Sequence, residues 1–286
     1  MTIVNLVRVF PIAEMGGNPA PIILSDINMQ DQKMYNIASE FCLESGFVLP
    51  VEAGSKADYR FRFFVPQHEM EMCGHATIGA LWLLREKGLI AKNNILIDTV
   101  SGQVMARVPD HGPISISQPL GSVEPLAHAK VEAVMAVLRL NENDLITSTI
   151  VNACTSRTKT LVAIKDPSIL SALSPDFSLM KKVCTSINST GLYPFAPGSG
   201  KSIFHARQFP RASGYPEDAA TGIAASALSF GLLEWGMVNQ TDHIIIKQGE
   251  AMGHGSEITI TFDVEDNSIT GCWIHGICKV DPLPKG

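Results

Sequence analysis

The stretch "CGHATIGALWLLREKGLI", residues 73–90, decides the fold prediction because a related stretch occurs later in the chain. Residues 219–238 read "AATGIAASALSFGLLEWGMV", and both stretches run from small residues through an apolar helical pattern. Gly88 and Gly236 mark the predicted helix ends, since glycine readily adopts the left-handed backbone found there. Two such helices predict that the chain contains two copies of one domain.

Other landmarks repeat at nearly the same distance along the chain. Arg62-Phe63-Phe64 has a counterpart in Arg207-Gln208-Phe209, and "VSGQV" at 100–104 has one in "KQGEA" at 247–251. The offsets stay between 145 and 148 residues, far longer than the solenoid periods of about 20 to 50 residues. We therefore predict a first domain over 1–118, joined by a C-terminal strand at 272–286, and a second domain over 119–271.

Hydrophobic periodicity predicts the other elements. The segment 31–41 is a helix candidate with Met34, Ile37 and Phe41 on one face, and Ile78, Leu81 and Trp82 share a face in the helix after Cys73. Residues 167–187 are predicted to be helical with a proline-marked break, and "SIFHARQF" at 202–209 is predicted to be one strand.

Composition excludes several classes of protein. The 286 residues are 45% hydrophobic and 17% charged, with a formal net charge of -6. No Lys/Arg-rich run is present, so a nucleic-acid partner is not expected. Apolar runs such as Ile78 to Leu84 are far shorter than the roughly 20 residues that span a bilayer. Six scattered cysteines and a start without a signal-peptide pattern favour a cytoplasmic protein with reduced thiols.

The starts of the two predicted central helices are candidate binding elements. A helix N-terminus carries a partial positive charge of about half a unit, together with N–H groups that have no partner within the helix. If the domains are related by a pseudo-twofold axis, both starts are expected to face one cleft and cradle an anion. The small residues there, such as Gly74 and Ala220, equally suit tight helix packing, and spacing alone leaves both interpretations open.

Five motifs in order resemble one known family. They are "GGNPAPI" from Gly16, "ESGFVLP" from Glu44, "CGHATIGA" from Cys73, "GYPEDAATGIAASAL" from Gly214 and "KQGEAMGHGS" from Lys247. Together they resemble the PhzF-like isomerases of phenazine biosynthesis, which share the diaminopimelate epimerase fold. The resemblance covers nearly the whole chain.

This resemblance implies an α+β fold of two pseudo-symmetric domains, each a curled, mostly antiparallel sheet around a central helix. It also implies proton transfer on a small carboxylated metabolite without a cofactor or metal, and a homodimer. By motif, Glu44 matches the family's acid/base carboxylate, His75 its "GH" histidine and Asp218 the aspartate of its "EDPATG" motif. The remaining expected substrate-binding positions are Asn18, Ser45, Gly46, Cys73, Gly74, Ala220, Thr221 and Gly222.

Two further expectations concern Asp218, from its local sequence, and His254, from the family resemblance. Asp218 lies at a predicted helix start, where aspartate is a common N-cap. His254 stands where the family often has arginine, so the preferred ligand is expected to differ if that arginine binds an anion.

Cys73 permits a competing hypothesis. A thiol at a helix N-terminus is expected to have a lowered pKa, and diaminopimelate epimerases carry a catalytic cysteine in a similar motif. Those enzymes use two thiols, whereas Asp218-Ala219-Ala220 supplies none. An epimerase or racemase that uses Cys73 with Glu44 therefore remains an alternative, as does a catalytically silent small-molecule binding protein.

A metal site near Cys73 is not predicted. The nearby candidates are His68, Glu69, Glu71, Cys73 and His75, a mixed set across a strand-to-helix boundary. This set fits neither a structural nor a catalytic zinc site well.

Overall fold

The computed structural model describes residues 3–14, 16–25, 29–66 and 68–281. The chain forms two compact units: unit 1 comprises Met1–Pro11, Gly17–Ser117 and His275–Gly286, and unit 2 comprises Ile12–Gly16 and Gln118–Ile274. The short segment Ile12–Gly16 falls in unit 2, where the Ile12 N–H donates to the Gly255 carbonyl at 3.3 Å. Part of the predicted C-terminal strand, residues 282–286, lies outside the described residues.

Unit 1 is a mixed sheet with two helices. Its strands are β1 (Asn5–Val9), β2 (Asn18–Leu24), β3 (Ser45–Leu49), β4 (Tyr59–Val65), β5 (His68–Met70), β6 (Asn94–Thr99), β7 (Gly102–Arg107) and β8 (Ile114–Pro119), which ends in unit 2. Its helices are α1 (Asp31–Phe41) and α2 (Gly74–Glu86). The parallel pairs β2/β3 and β4/β6 are connected through α1 and α2 respectively, and antiparallel pairing joins β1 to β2 and β3 to β4.

Unit 2 repeats this order of pairing. Its strands are β9 (Ser122–Pro125), β10 (Val151–Cys154), β11 (Thr158–Ala163), β12 (Gly191–Pro197), β13 (Ile203–Ala206), β14 (Phe209–Pro210), β15 (Ile244–Gln248), β16 (Ser256–Glu265) and β17 (Ser268–Gly276), which ends in unit 1. Its helices are α3 (His128–Leu138), α4 (Pro167–Ala172), α5 (Phe177–Ser186) and α6 (Gly222–Glu234). Parallel pairing joins β11 to β12 and β13 to β15, with α6 connecting the second pair. After unit 2 the chain returns to unit 1, where β18 (Cys278–Val280) pairs antiparallel with β1.

The helices α2 and α6 are the central elements of their units. Each has 13 residues, and α6 is buried continuously from Gly222 to Leu232. In α2, Ile78 and Leu81 are buried as part of one face, whereas Trp82 is partly exposed. Burial also extends around the rest of the helix, so the buried surface is wider than the single face that was predicted. A helix that is apolar on all sides must be enclosed by other elements. No helix among the described residues is long and apolar enough to cross a membrane.

The other sequence-predicted helices are confirmed with small changes. On α1, Met34 and Ile37 are buried as predicted, whereas Phe41 is partly buried. The segment after Asp166 forms α4 and α5, and Pro175 lies in the break between them.

The predicted strand over 202–209 is interrupted. It forms β13 and β14, and the two residues between them are Arg207 and Gln208. The Arg207 N–H donates to the Pro194 carbonyl at 3.0 Å, so this part of the backbone is held outside the regular strand pairing.

The same arginine arrangement occurs in both units. Arg62 donates two hydrogen bonds to the Glu69 carboxylate, at 2.7 and 2.8 Å, and its guanidinium lies 5.0 Å from the Phe64 ring centre. In unit 2, Arg207 does the same with Glu217, at 2.9 and 2.7 Å, and lies 4.9 Å from the Phe209 ring centre. Such two-point contacts fix the orientation of both partners, and the unit 2 pair fixes the residue that precedes Asp218.

Gly249 supports the backbone beside Asp218, and we expect Gly249→Ala to destabilise the fold. Its φ is +77°, and a Cβ would lie 2.5 Å from the His254 carbonyl oxygen and 2.6 Å from the Ala219 carbonyl oxygen. Because backbone strain and a clash with two backbone atoms add together, the free energy of unfolding should fall by at least about 3 kcal/mol in urea titration.

The matched control is Gly253→Ala in the same loop. Gly253 also has a positive φ, +73°, but a Cβ there meets nothing within 4 Å. This variant should lose only the left-handed backbone cost of about 1–2 kcal/mol, and equal losses in the two variants would contradict the steric argument.

Candidate active site

The carboxylate of Glu44 and the start of α2 form the first part of the candidate site, within unit 1. The helix begins at Gly74, and Cys73 is its N-cap with an extended backbone, φ -138° and ψ 105°. His75 therefore lies in the first turn, as predicted. Glu44 lies directly before β3, two residues after Cys42, which ends α1 in the left-handed conformation.

Gly46 allows β3 to pack closely against the first turn of α2. A Cβ at Gly46 would lie 3.0 Å from the Ile22 Cδ1 atom and 3.4 Å from the Ala76 Cβ atom. Because Gly46 on β3 and Ala76 on α2 have minimal side chains, the strand and the helix approach closely. This packing brings Glu44, at the strand entrance, next to Cys73 and His75.

Glu44, Cys73 and His75 converge within contact distance. The Cys73 Sγ donates to the Glu44 Oε2 at 3.1 Å and lies 3.5 Å from the His75 Nδ1. The Glu44 Oε2 is 3.6 Å from the same ring nitrogen. The Cys73 and His75 side chains are buried, whereas 14% of the Glu44 side chain is exposed. Glu44 is therefore the member of this cluster that presents the most surface to solvent.

Burial determines the charge state of His75. Desolvation lowers the pKa of the ring below its ordinary value of 6.5, and the nearby Glu44 carboxylate opposes this shift only in part. The ring is therefore neutral near pH 7, and its contact with Glu44 is between a neutral group and a carboxylate. The His75 Nε2 is buried without a hydrogen-bond partner within the described ranges.

The structure also locates the substrate-binding residues predicted for unit 1. Asn18 begins β2 opposite Val9, Ser45 begins β3, and its hydroxyl donates to the Leu43 carbonyl at 3.2 Å. Gly46 and Gly74 are buried beside the cluster described above. Glu44 is followed in the chain by Ser45 and Gly46, and the start of α2 at Cys73 and Gly74 lies beside it. The contacts of these four residues with substrate stay a prediction.

Asp218 is not the N-cap of α6, so that prediction was wrong. The helix begins at Gly222 and its N-cap is Thr221. The Asp218 N–H instead donates to the Gln208 carbonyl at 3.0 Å in an isolated bridge, which holds this residue in extended pairing before the helix. The Thr221 hydroxyl donates to the Asp218 Oδ2, so the residue in the N-cap position contacts Asp218.

A hydrogen-bond chain that begins at the buried Tyr193 hydroxyl supports the backbone of Asp218. The Tyr193 hydroxyl donates to the Gln248 Oε1 at 2.8 Å, and the Gln248 Nε2 donates to the Asp218 carbonyl at 2.7 Å and to the Thr221 Oγ1 at 3.1 Å. Burial, with a smaller contribution from the Asp218 charge, raises the pKa of Tyr193 well above its ordinary value. Tyr193 therefore remains a donor, which fixes the Gln248 amide and directs the Thr221 hydroxyl toward the Asp218 carboxylate.

Sequence reasoning did not identify Tyr193 or Gln248. Gln248 lies within the motif "KQGEAMGHGS", so its position was available as a signal, whereas "GLYPFAP" around Tyr193 contains no distinguishing pattern. The same motif contributes Ser256, whose hydroxyl donates to the Ala219 carbonyl at 2.9 Å. This motif therefore supports the backbone around Asp218. His254, in the same loop, donates its N–H to the Gly249 carbonyl at 3.0 Å.

The metal-ligand set considered along the sequence does not assemble. His68 and Glu71 are exposed, and Glu69 is paired with Arg62. The donor groups that do converge are those of Glu44, Cys73 and His75, which all lie within 4.8 Å of one another. Proximity in the chain therefore grouped Cys73 with His75 correctly but missed Glu44.

Comparisons with known proteins define the class. A solved structure described as a predicted epimerase from Pseudomonas aeruginosa has a TM-score of 0.82 at 19% identity and covers 100% of both chains. A relative named as an uncharacterized isomerase, YddE from Salmonella typhimurium, is 27% identical over 91% of this chain and 90% of its own. The molecule thus has an α+β, epimerase-like fold and belongs among the isomerases.

The family follows from a more specific match. The model of the PhzC-PhzF family, described as phenazine biosynthesis-like protein, matches residues 7–277. A solved PhzF-family structure from Bacillus anthracis has a TM-score of 0.85 at 27% identity and covers 98% of this chain and 97% of its own. This chain belongs to the PhzC-PhzF family.

The lowered pKa of His75 predicts that the fold weakens in mild acid. The unfolded chain takes up a proton near pH 6.5, while the buried ring resists protonation to lower pH. Stability is therefore fully present above about pH 6.5 and falls below it, by up to about 1.4 kcal/mol per pH unit for one such group. Urea titrations at pH 7.5 and 5.5 measure this loss.

The control for this prediction is His75→Asn, which cannot titrate. Its free energy of unfolding should fall less between the two pH values than that of the unaltered protein. An equal fall in both proteins would assign the acid sensitivity to other groups.

Proposed function

We propose that this isomerase moves a proton on a small carboxylated metabolite by general acid/base catalysis without a cofactor. Glu44 takes the proton from one carbon and returns it to another. The observation that carries the proposal is the position of the Glu44 carboxylate, which is held by Cys73 and His75 yet is 14% exposed. A general base must be held in place and still reach the proton that it removes.

His75 is proposed to orient and polarise the substrate. Its neutral ring offers hydrogen bonding without forming an ion pair that would neutralise the Glu44 carboxylate. A neutral imidazole can donate from one nitrogen and accept at the other. This suits a group that shares a proton with substrate during transfer.

Backbone N–H groups are proposed to hold the developing negative charge. Removal of a carbon-bound proton beside a carboxylate produces an enolate-like anion, which fixed donors stabilise. The first turn of a helix supplies such donors, and the small side chains near Gly74 would let a ligand approach the backbone closely. The same role is proposed for the backbone near Ala220 and Gly222.

Asp218 is proposed to hold an amino or hydroxyl group of the substrate. Its orientation by Thr221 and by the Tyr193–Gln248 chain supports this role. A carboxylate has about four acceptor sites, so acceptance of the Thr221 hydrogen bond leaves capacity for a ligand.

We expect Glu44→Gln to reduce proton transfer by about 10²- to 10⁴-fold, the usual contribution of a general base. The protein would be incubated in D₂O with a panel of amino acids and cyclic unsaturated carboxylic acids. Mass spectrometry would then measure deuterium incorporation at carbon. The amide has nearly the shape of the carboxylate but cannot accept the proton.

The matched control is Glu40→Gln, which alters an exposed glutamate on α1. Its exchange rate should equal that of the unaltered protein. Full exchange in Glu44→Gln would refute the assigned base. Failure of every panel compound to exchange, despite binding, would favour the silent binding protein.

A second candidate function is epimerisation with Cys73 and Glu44 as the two acid/base groups. It is favoured by the 3.1 Å contact between the Cys73 Sγ and the Glu44 Oε2. Under the leading proposal Cys73→Ala should lower exchange by less than about tenfold, since the thiol helps to orient the Glu44 carboxylate but transfers no proton to or from substrate. A fall of about 10²-fold or more, in the range of a lost acid/base group, would establish the epimerase.

A further inference from the structure

The cluster of Glu44, Cys73 and His75 presents three different kinds of donor atom to one point. The separations are 3.1 Å between the Glu44 Oε2 and the Cys73 Sγ, 3.5 Å between Sγ and the His75 Nδ1, and 3.6 Å between that nitrogen and Oε2. All three residues belong to unit 1. Their positions follow from the close packing of β3 on α2.

These separations are within about 0.5 Å of the ligand spacing of a tetrahedral zinc ion. Zinc binds thiolate sulfur at about 2.3 Å, imidazole nitrogen at about 2.0–2.1 Å and carboxylate oxygen at about 2.0–2.2 Å, so two ligands lie about 3.3–3.6 Å apart. The sulfur–nitrogen distance of 3.5 Å fits its pair, the nitrogen–oxygen distance of 3.6 Å is about 0.2 Å too long, and the sulfur–oxygen distance of 3.1 Å must increase by about 0.5 Å. Glu44, which is partly exposed, can make this adjustment by a small side-chain rotation.

The chemistry of the donors selects the class of metal. Calcium and magnesium prefer oxygen ligands throughout, whereas thiolate and imidazole suit zinc and cobalt. Three protein ligands leave a fourth position for water, as in zinc sites with an open coordination position. The Cys73 thiol would release its proton to solvent on binding the metal.

We propose that Zn²⁺ binds to Glu44, Cys73 and His75 and inhibits the isomerase. The zinc site rests on the geometry of these three residues. The inhibition rests also on the proposed function, because a carboxylate bound to zinc cannot accept a proton from substrate. The metal would thus act as a reversible inhibitor of the acid/base group.

The cysteines outside the proposed site serve as controls for weak metal binding elsewhere in the protein. Burial raises the pKa of Cys184 to about 11 and that of Cys272 to about 12, so both remain protonated at neutral pH. Cys42 is exposed, and Cys154 and Cys278 are partly exposed. Burial raises the pKa of Cys278 far above its ordinary value, which leaves Cys42 and Cys154 as the background thiols to be tested for weak metal binding. Cys42→Ser and Cys154→Ser are therefore the matched controls.

The test is titration of the reduced full-length protein with Co²⁺, which binds like zinc and absorbs light when a thiolate coordinates it. A thiolate-to-cobalt absorption band should appear in the unaltered protein and in both control variants, and Zn²⁺ should abolish it. The band should be lost in Cys73→Ser. His75→Asn and Glu44→Gln should bind at least about 100-fold more weakly, because even changes outside the ligand shell commonly cost about 10- to 100-fold.

The possible outcomes separate the metal site from the proposed function. Absence of the band, its persistence in Cys73→Ser, or unchanged binding in both Glu44→Gln and His75→Asn would overturn the zinc site. The Glu44 and His75 variants give an answer even if Cys73→Ser fails to fold. If the band behaves as expected, Zn²⁺ should stop deuterium exchange and a chelator should restore it. Exchange that continues with zinc bound would overturn the inhibition and leave the site, whereas a protein that binds cobalt but exchanges no substrate would contradict the proposed function alone.

Discussion

The close approach of β3 to the first turn of α2 is the constraint on which the candidate site depends. Gly46 and Ala76 have almost no side chain between them, so the strand entrance lies beside the helix start. Glu44 then lies within 3.1 Å of the Cys73 sulfur. A larger residue at Gly46 would have to displace the Ile22 side chain or the helix. Packing therefore brings the three functional groups together, and the hydrogen bond from Cys73 then orients the Glu44 carboxylate.

The sequence predicted the central helices well because their signal is local. Apolar residues with small residues at one end and glycine at the other define α2 and α6 without reference to the rest of the chain. The motifs that resemble the PhzF-like family then identified Glu44, which local sequence alone would assign to the surface. The fold class is confirmed by the structure and the comparisons, while the shared cleft of the two helix starts stays a prediction.

The features that sequence reasoning missed depend on contacts between distant segments. Asp218 was expected to cap a helix, yet pairing of its N–H with the Gln208 carbonyl delays the helix until Gly222. The hydroxyl of Tyr193 acts through Gln248, 55 residues further along the chain. The considered metal ligands were neighbours in sequence, but Cys73 and His75 also contact Glu44, which lies just before β3 and 29 residues from Cys73. Spacing along the chain could not reveal these relationships, because the contacting residues come from separate segments of the sequence.

The pairing of β1 with β18 has a consequence for the folding of the chain during translation. Val7 pairs with Val280, and Arg8 forms a 2.6 Å ion pair with Asp281, so the first strand of unit 1 needs a partner that follows unit 2 in the chain. Unit 2 comprises residues that all leave the ribosome before this partner does. Unit 1 can thus be completed only after all of unit 2 has been translated. Until then the β18-facing edge of β1 is exposed to incorrect pairing, and this edge is the one that a chaperone would need to protect.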